Sequence, residues 1–164
     1  MNEVETITGN LLDFPPHHPD DPDRYIGINN IAHSCNTLNI MGGGIARQIK
    51  ERYPQAYEAD TEFHMRREHE TLEEFVQPLG KYSKAEIKSM FLPNGKGTIY
   101  NLYTQANIGA DKRQVHYEYF WKALKEMQED LLSFNMKQDN LKCWGCLMES
   151  PAVLQVEIGK SSRR

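Results

Sequence analysis

The stretch from Ile31 to Lys50, IAHSCNTLNIMGGGIARQIK, decides the fold of this chain. A short apolar run ends in polar residues that include Asn36 and Asn39, and a run of three glycines, Gly42 to Gly44, follows. Apolar residues then recur at helical spacing over 45–50. A strand, a polar turn, a glycine run and a helix in this order allow backbone amides to approach an anionic ligand at the helix N-terminus. Glycine suits such a loop because it has no side chain to block the approach and tolerates positive φ.

The common nucleotide-binding motifs do not fit this stretch. No Lys-Ser or Lys-Thr pair follows the glycines, so it is not the G-x-x-x-x-G-K-[ST] loop, and the spacing is not G-x-G-x-x-G. The alternative without a ligand is a glycine-rich turn that simply precedes a helix.

The stretch does resemble the macrodomain, the ADP-ribose-binding module. Members of that family carry a strand that ends in Asn, a spacer, a Gly-Gly-Gly run and a helix. The flanking residues HSCN and GGGIA are most similar to the branch that hydrolyses ADP-ribose 1''-phosphate, which also occurs in phage genomes. The resemblance covers roughly residues 4–136 and implies an α/β class, three-layer α/β/α macrodomain-like fold with a central mixed sheet.

The resemblance also implies where ADP-ribose or ADP-ribose 1''-phosphate would lie. The adenine would lie at Asn10, where the family usually has Asp, and an amide still offers a donor and an acceptor. A polar turn after a strand is the alternative for Asn10. The diphosphate would lie on the glycine run, and Asn36 would contact the distal ribose, while Asn39 either does the same or holds the turn. The expected ligand-binding residues are Asn10, Leu11, Asn36, Asn39, Gly42, Gly43, Gly44, Ile45, Thr104, Gln105, Asn107, Ile108 and Gly109.

The expected catalytic residues are His33 and Asn36. A histidine near the distal end could act as general base or general acid, although a satisfied core histidine is an equal alternative. Cys35 is expected to be a small buried hydrophobe rather than a nucleophile. Another macrodomain branch uses a Lys after the strand-end Thr as a nucleophile, but here Gln105 follows Thr104. The resemblance therefore favours hydrolysis of ADP-ribose 1''-phosphate over removal of ADP-ribose from proteins, with a non-catalytic reader module as the further alternative.

Length and composition fit one soluble domain. The chain has 164 residues and a net charge of −4, so it presents no overall basic field for nucleic acid. No apolar run approaches the roughly 18 residues of a membrane span, and the acidic N-terminus lacks the pattern of a signal peptide. We expect a monomer in the cytoplasm, or in the host cytoplasm if the chain is phage-encoded.

The cysteines do not indicate a metal or a disulfide framework. There are three, an odd number, and the C-x-x-C pair of Cys143 and Cys146 has no second pair to complete a zinc site. A cluster of His and Asp in the proline-rich segment 13–24 is interpreted as a solvated loop without regular structure. We therefore expect no metal site and no cofactor.

Hydrophobic patterning predicts the order of the elements. The predicted strands are Val4–Thr8, Tyr25–Ser34 and Thr98–Thr104. The predicted helices are Gly44–Arg52, Gln55–Glu70 and Val115–Leu132. The last of these has an apolar stripe composed of Tyr117, Phe120, Ala123, Leu124, Met127 and Leu131.

The C-terminal part departs from the family. After Lys142 the family has a strand, a glycine-rich loop and a last helix, but this chain shows none of the glycines of that loop. Codons for Cys146–Lys160, read in a shifted frame with free third bases, can encode PYGIACGLAGGNWE, which is very similar to the missing loop. We therefore predict a macrodomain-like domain over 1–140 and an atypical tail over 141–164 that results from a frameshift. Val153, Leu154, Val156 and Ile158 could still pair as a strand in that tail.

Overall fold

The protein forms one sheet flanked by helices, together with a small hairpin. The computed structural model describes residues 4–7, 12, 17–18, 21–25, 28–65, 78–88, 95–109, 114–135, 143–147 and 154–157. The strands are β1 Val4–Ile7, β2 His17–His18, β3 Asp21–Tyr25, β4 Ile28–Asn36, β5 Tyr82–Lys88, β6 Lys96–Gln105, β7 Cys143–Leu147 and β8 Leu154–Glu157. The helices are α1 Gly44–Arg52, α2 Pro54–Met65 and α3 Tyr117–Asn135.

The main sheet is mixed. Its strand order is β1-β8-β7-β4-β6-β5, and β4 lies parallel to both β6 and β7. The other neighbours are antiparallel. Because β4 and β6 run in parallel, their carboxyl ends meet at one edge, and the register sets Asn36 opposite Gln105. This edge is where the loops that follow the two strands lie close together.

Alternation along β4 divides the core into two layers. Ile31 packs in a cluster with Ile49 of α1 and Ala56 of α2, whereas its neighbour Ala32 packs with Phe120 of α3. Successive side chains of a strand point to opposite faces of the sheet, so α1 and α2 cover one face and α3 covers the other. The predicted three-layer α/β/α arrangement with a mixed sheet is confirmed.

The patterning predicted the main helices well, with one exception. The prediction of a helix over Gly44–Arg52 is confirmed, and α3 buries Phe120, Ala123, Met127 and Leu131 as expected. Tyr117 does not share this burial, because it is 58% exposed at the first residue of α3. The helical stripe therefore begins one turn later than the sequence indicated.

The prediction of no regular structure over 13–24 is wrong. Two short strands, β2 and β3, form an antiparallel pair in which His17 lies opposite Tyr25. Proline is tolerated in edge strands and in two-stranded ribbons, because a missing N–H that faces away from the partner strand breaks no hydrogen bond. Prolines in that segment therefore did not prevent pairing.

The C-terminal segments join the main sheet. Both described segments after Asn135 are strands: β7 pairs with β4, and β8 pairs with β7 and β1. The strand suggested around Leu154 is confirmed. The proposed division near residue 140 and the frameshift stay predictions. Among the described residues, no helix is long and apolar enough to cross a membrane.

Candidate ligand site

The start of α1 presents backbone amides that have no hydrogen-bond acceptor among the described residues. The first hydrogen bond of the helix runs from the Arg47 amide to the Gly43 carbonyl oxygen at 3.1 Å, so the amides of residues 44–46 precede the helical ladder. Gly43 is the N-cap and supplies no side-chain cap, and the first turn contains no acidic residue. The partial positive charge of this helix end is therefore left for an external anion.

The glycine run leaves open space in front of these donors. Gly42, Gly43 and Gly44 are all exposed, and a Cβ placed on Gly43 or Gly44 would meet no atom of the described residues within 4 Å. Gly44 has φ of +56°, in the left-handed region that favours glycine. The left-handed conformation of Gly44 therefore turns the chain into α1. The described residues leave open space in front of Gly43.

Asn36 holds the turn that precedes the glycines. Its Oδ1 accepts hydrogen bonds from the amides of Leu38 and Ile40 at 3.0 and 3.2 Å, and its Nδ2 donates to the Ile40 carbonyl at 2.7 Å. Both lone-pair directions of Oδ1 are therefore used, whereas one Nδ2 hydrogen has no acceptor within the part of the chain that the structure describes. The predicted ribose contact of Asn36 is limited to a donor role.

Asn39 supports the same turn from the other side. It adopts φ of +55°, a conformation that asparagine tolerates better than most residues. Its Nδ2 donates to Thr61 Oγ1 of α2 at 3.2 Å. Of the two roles that the sequence left equal, this geometry favours holding the turn.

The loop after β6 is joined directly to the turn after β4. The Thr37 amide donates to the Gln105 carbonyl at 3.0 Å, and the Thr37 hydroxyl donates to the Ala106 carbonyl at 3.4 Å. The next residues of this loop, Asn107, Ile108 and Gly109, are exposed. Thr37 therefore joins the loop after β4 to the loop after β6.

Gln105 carries an unpartnered acceptor at this junction. Its Oε1 is buried, and it has no hydrogen-bond partner within the part of the chain that the structure describes. A buried acceptor without a donor costs about 1–3 kcal/mol, so such an atom in a native site calls for a ligand or a water.

Thr104 and Ile45 lie deeper than a ligand-contact role requires. Thr104 is 0% exposed, its hydroxyl is hydrogen-bonded to the Ser34 hydroxyl, and its carbonyl accepts from the His116 amide. The side chain of Ile45 packs against the apolar cluster under α1. Asn10 and Leu11, predicted at the adenine, lie outside the described residues.

His33 is part of a buried polar network rather than of an open surface. It is 0% exposed, and its Nε2 lies 2.7 Å from Asn101 Oδ1. The Asn101 amide donates to the Ala56 carbonyl and to Ser83 Oγ, so Oδ1 is the atom that faces His33 and the imidazole must donate. Burial lowers the pKa of His33, which keeps it neutral. The geometry favours the core-histidine alternative over an acid or base.

Cys35 is buried, as expected. It is 3% exposed, with Sγ 3.5 Å from His33 Nδ1, and burial raises the pKa of its thiol. A neutral, enclosed thiol is a poor nucleophile.

Sequence reasoning missed the other half of this network. The Tyr103 hydroxyl lies 2.8 Å from both Asp60 Oδ1 and Ser83 Oγ, and Asp60 is 1% exposed. A carboxylate can only accept and a phenol has one hydrogen, so Tyr103 donates to Asp60 and accepts from Ser83. The available signal was Asp60 itself, because it shares the buried side of α2 with Ala56, where a carboxylate needs partners.

No protein-family model matches the chain. A curated relative is the uncharacterized 17.5 kDa protein from the tk–vs intergenic region of Enterobacteria phage T4, which is 35% identical over 80 residues. That match covers 49% of this chain and 45% of the phage protein, so the chain spans less than half the length of the relative.

Solved macrodomain structures are similar in fold. The macrodomain of Thermus aquaticus DarG has a TM-score of 0.53 at 20% identity, covering 79% of this chain and 68% of its own. The macrodomain of Mycobacterium tuberculosis DarG has a TM-score of 0.51 at 22% identity, covering 66% and 62%. Thermosipho africanus DarTG, solved in complex with ADP-ribose, has a TM-score of 0.51 at 16% identity, covering 74% of this chain and 29% of its own. These likenesses confirm in three dimensions the resemblance seen in the sequence: this chain has the macrodomain fold.

Proposed function

We propose that this chain binds ADP-ribose, with the diphosphate at the N-terminus of α1. The observation that carries the proposal is the set of backbone amides at residues 44–46, which precede the helical ladder beside the exposed glycine run and have no acidic residue in the first helical turn. Amides and a helix dipole stabilise a diphosphate without a buried cation. A net charge of −4 is therefore compatible with an anionic ligand.

The second loop supports the same ligand position. Gln105 lies opposite Asn36 in the register of β4 and β6, and its buried Oε1 lacks a donor among the described residues. A ribose hydroxyl is a donor of the right kind, and the free Nδ2 hydrogen of Asn36 would face a ribose oxygen. The fold adds weight, since Thermosipho africanus DarTG was solved with ADP-ribose.

Hydrolysis of ADP-ribose 1''-phosphate is the enzymatic candidate that the sequence resemblance favours. Gln105 occupies the position after Thr104 at which another macrodomain branch has its nucleophilic Lys, so removal of ADP-ribose from carboxylates lacks its residue. His33 is fully buried and neutral, so it could not exchange a proton with a ligand in this geometry. Within the described part of the chain, the proposal therefore assigns the positioning of the attacking water beside the distal phosphate to the loop amides.

Calorimetric titration with ADP-ribose tests the binding proposal. We expect saturable heat from the wild-type chain and none from Gly43→Val, because the branched side chain would project into the space reserved for the diphosphate. Gly43 has extended backbone angles of −144° and 168°, so valine should fold there without strain, and the circular dichroism and melting temperature of the variant serve as the control. No heat from folded wild-type protein at millimolar ligand would reject the proposal.

A product assay separates the functional classes. Phosphate released from ADP-ribose 1''-phosphate would identify a phosphatase, and ADP-ribose released from a modified protein would identify an ADP-ribosyl hydrolase. Binding without either product would leave a reader module.

A further inference from the structure

His64 on α2 bridges that helix to the turn beside the glycine loop. Its Nδ1 lies 2.8 Å from the Asp60 carbonyl oxygen and 3.2 Å from Asp60 Oδ1. Its Nε2 lies 3.0 Å from the carbonyl oxygen of Thr37. Every one of these partners is an acceptor.

This geometry fixes the protonation state of the ring. A neutral imidazole carries one N–H and one lone pair, and a lone pair cannot face a carbonyl oxygen at hydrogen-bond distance without repulsion. These contacts are therefore all satisfied only when both nitrogens carry hydrogen, that is, when His64 is an imidazolium. The side chain is 17% exposed, so solvent can exchange its proton. Hydrogen bonds to Asp60 raise the pKa of His64 against the opposing effect of burial.

Thr37 connects this cation to both loops of the candidate site. It follows Asn36 directly, and its amide and hydroxyl donate to the carbonyls of Gln105 and Ala106. A bond from His64 to the Thr37 carbonyl therefore fixes the point at which the two loops join.

We propose that His64 is a positioning residue for the ADP-ribose site, and that its imidazolium, by holding Thr37 against α2, makes ligand affinity fall as pH rises. The inference rests on the proposed function. When His64 loses a proton, one ring nitrogen faces an oxygen without a hydrogen, and either the ring or the Thr37 turn must move. Loss of this charge-assisted hydrogen bond should weaken ADP-ribose binding by roughly tenfold.

Among the groups that surround His64, the imidazole of His64 is the one expected to change charge in the pH range of interest. Asp60 on its own helix supplies the negative charge, and the ring of Tyr103 on β6 lies edge-on with centroids 5.2 Å apart. Burial raises the pKa of Tyr103 and of the Cys35 thiol, so both stay neutral over the pH range in which His64 loses its proton. His33 on the neighbouring strand β4 is also neutral, since burial lowers its pKa.

The test is ADP-ribose affinity as a function of pH, measured on the wild-type chain between about pH 5.5 and 9.5. ADP-ribose has no phosphate monoester, so the ligand does not titrate on the alkaline side of this window. The imidazole of His64 is followed separately by nuclear magnetic resonance without ligand. The affinity and the imidazole signal should share one midpoint above the ordinary histidine value of about 6.5.

Two matched substitutions complete the experiment. His64→Gln should bind more weakly at low pH and show a flat pH profile, whereas His116→Gln, on an exposed histidine, should keep the wild-type profile. Binding by wild type that does not vary with pH, or a profile that survives in His64→Gln, would overturn the inference and leave ADP-ribose binding standing. No binding by wild type at any pH would reject the proposed function and this inference with it. If His64→Gln does not fold, the coincidence or separation of the two wild-type midpoints decides.

Discussion

The carboxamide of Asn36 closes the turn that precedes the glycine loop by donating from Nδ2 to the carbonyl oxygen of Ile40 at 2.7 Å. Two further bonds from the amides of Leu38 and Ile40 reach its Oδ1. The residue that the sequence assigned to the ligand is thus also the residue that shapes the loop, and its two roles can be separated by measurement.

Asn36→Ala should lower both stability and affinity. The substitution removes three hydrogen bonds, but Ile40 is 42% exposed, so water can replace part of what is lost. We expect a loss of about 1–2 kcal/mol in the free energy of unfolding, measured with urea. Asn107→Ala, on an exposed residue of the other loop, should change stability by less than about 0.5 kcal/mol. Equal stability of Asn36→Ala and wild type would show that the turn does not depend on these bonds.

Neighbouring glycines should respond differently to alanine. Gly44 has φ of +56°, where an L-residue is strained by about 1–2 kcal/mol, so Gly44→Ala should unfold at lower urea concentration. Gly43 is extended and its Cβ position is open, so Gly43→Ala should unfold like wild type. The reverse order of the two midpoints would contradict the backbone conformation described for the loop.

Gln105 should matter for binding and not for folding. Gln105→Ala deletes a buried acceptor that lacks a donor among the described residues, so stability should stay equal or rise slightly. If a ribose hydroxyl donates to Oε1, the same variant should weaken ADP-ribose binding about fivefold, which corresponds to roughly 1 kcal/mol. Gln105→Glu should weaken it further, because its carboxylate would repel the diphosphate. Unchanged affinity in both variants would remove Gln105 from the site.

Two histidines should act in opposite directions on stability as pH changes. Burial lowers the pKa of His33, so below about pH 6.5 the unfolded state gains a proton that the folded state does not, and stability falls with acid. The pKa of His64 is raised, so its contribution is fully present below about pH 6.5 and is lost as pH rises through the folded value. His64→Gln should therefore show a steeper loss of stability between pH 7 and 5.5 than wild type, while His116→Gln should follow wild type. Urea midpoints at several pH values measure this, and parallel curves for all three proteins would contradict it.

Restoring the shifted reading frame should improve the protein. A synthetic chain with PYGIACGLAGGNWE in place of residues 147–160 would regain the loop that the family resemblance implies, with further amide donors and additional buried apolar surface. We expect a higher melting temperature, tighter ADP-ribose binding and faster phosphate release if the protein is a phosphatase. Equal values for the two chains would show that the present tail is functional and that the frameshift hypothesis is wrong.

The main elements of the fold could be predicted from local sequence patterns. The glycine run predicted the strand–loop–helix unit around Ile31–Lys50, and the apolar stripe predicted α3. Both predictions succeeded because an element that buries one face has apolar residues at regular spacing. Tyr117 was wrongly predicted to be part of the buried stripe, because periodicity does not reveal where a helix first contacts the sheet. The hairpin of β2 and β3 was missed because composition rich in proline obscures edge pairing.

The polar interior could not be predicted in the same way. His33, Asn101, Tyr103 and Asp60 come from three elements, and their hydrogen bonds depend on packing between α2 and the sheet. The sequence shows that an Asp lies within a predicted helix, but it does not show that the Asp is buried or which residues bind its carboxylate. The role of His64 emerged only from the acceptors of Asp60 and Thr37, which converge on its ring from two parts of the chain.

The pairing of β1 with β8 has a consequence for the order of synthesis and folding. Val4 lies opposite Glu157, so β1, the first described strand, forms an edge of the sheet beside β8, the last described strand. At translation rates of about 5–20 residues per second, β1 would leave the ribosome roughly ten to thirty seconds before its partner is made. During that interval its backbone donors and acceptors face water or other chains, and closing so long a loop is slow. The sheet of each newly made molecule is therefore completed late, after β8 has been synthesised.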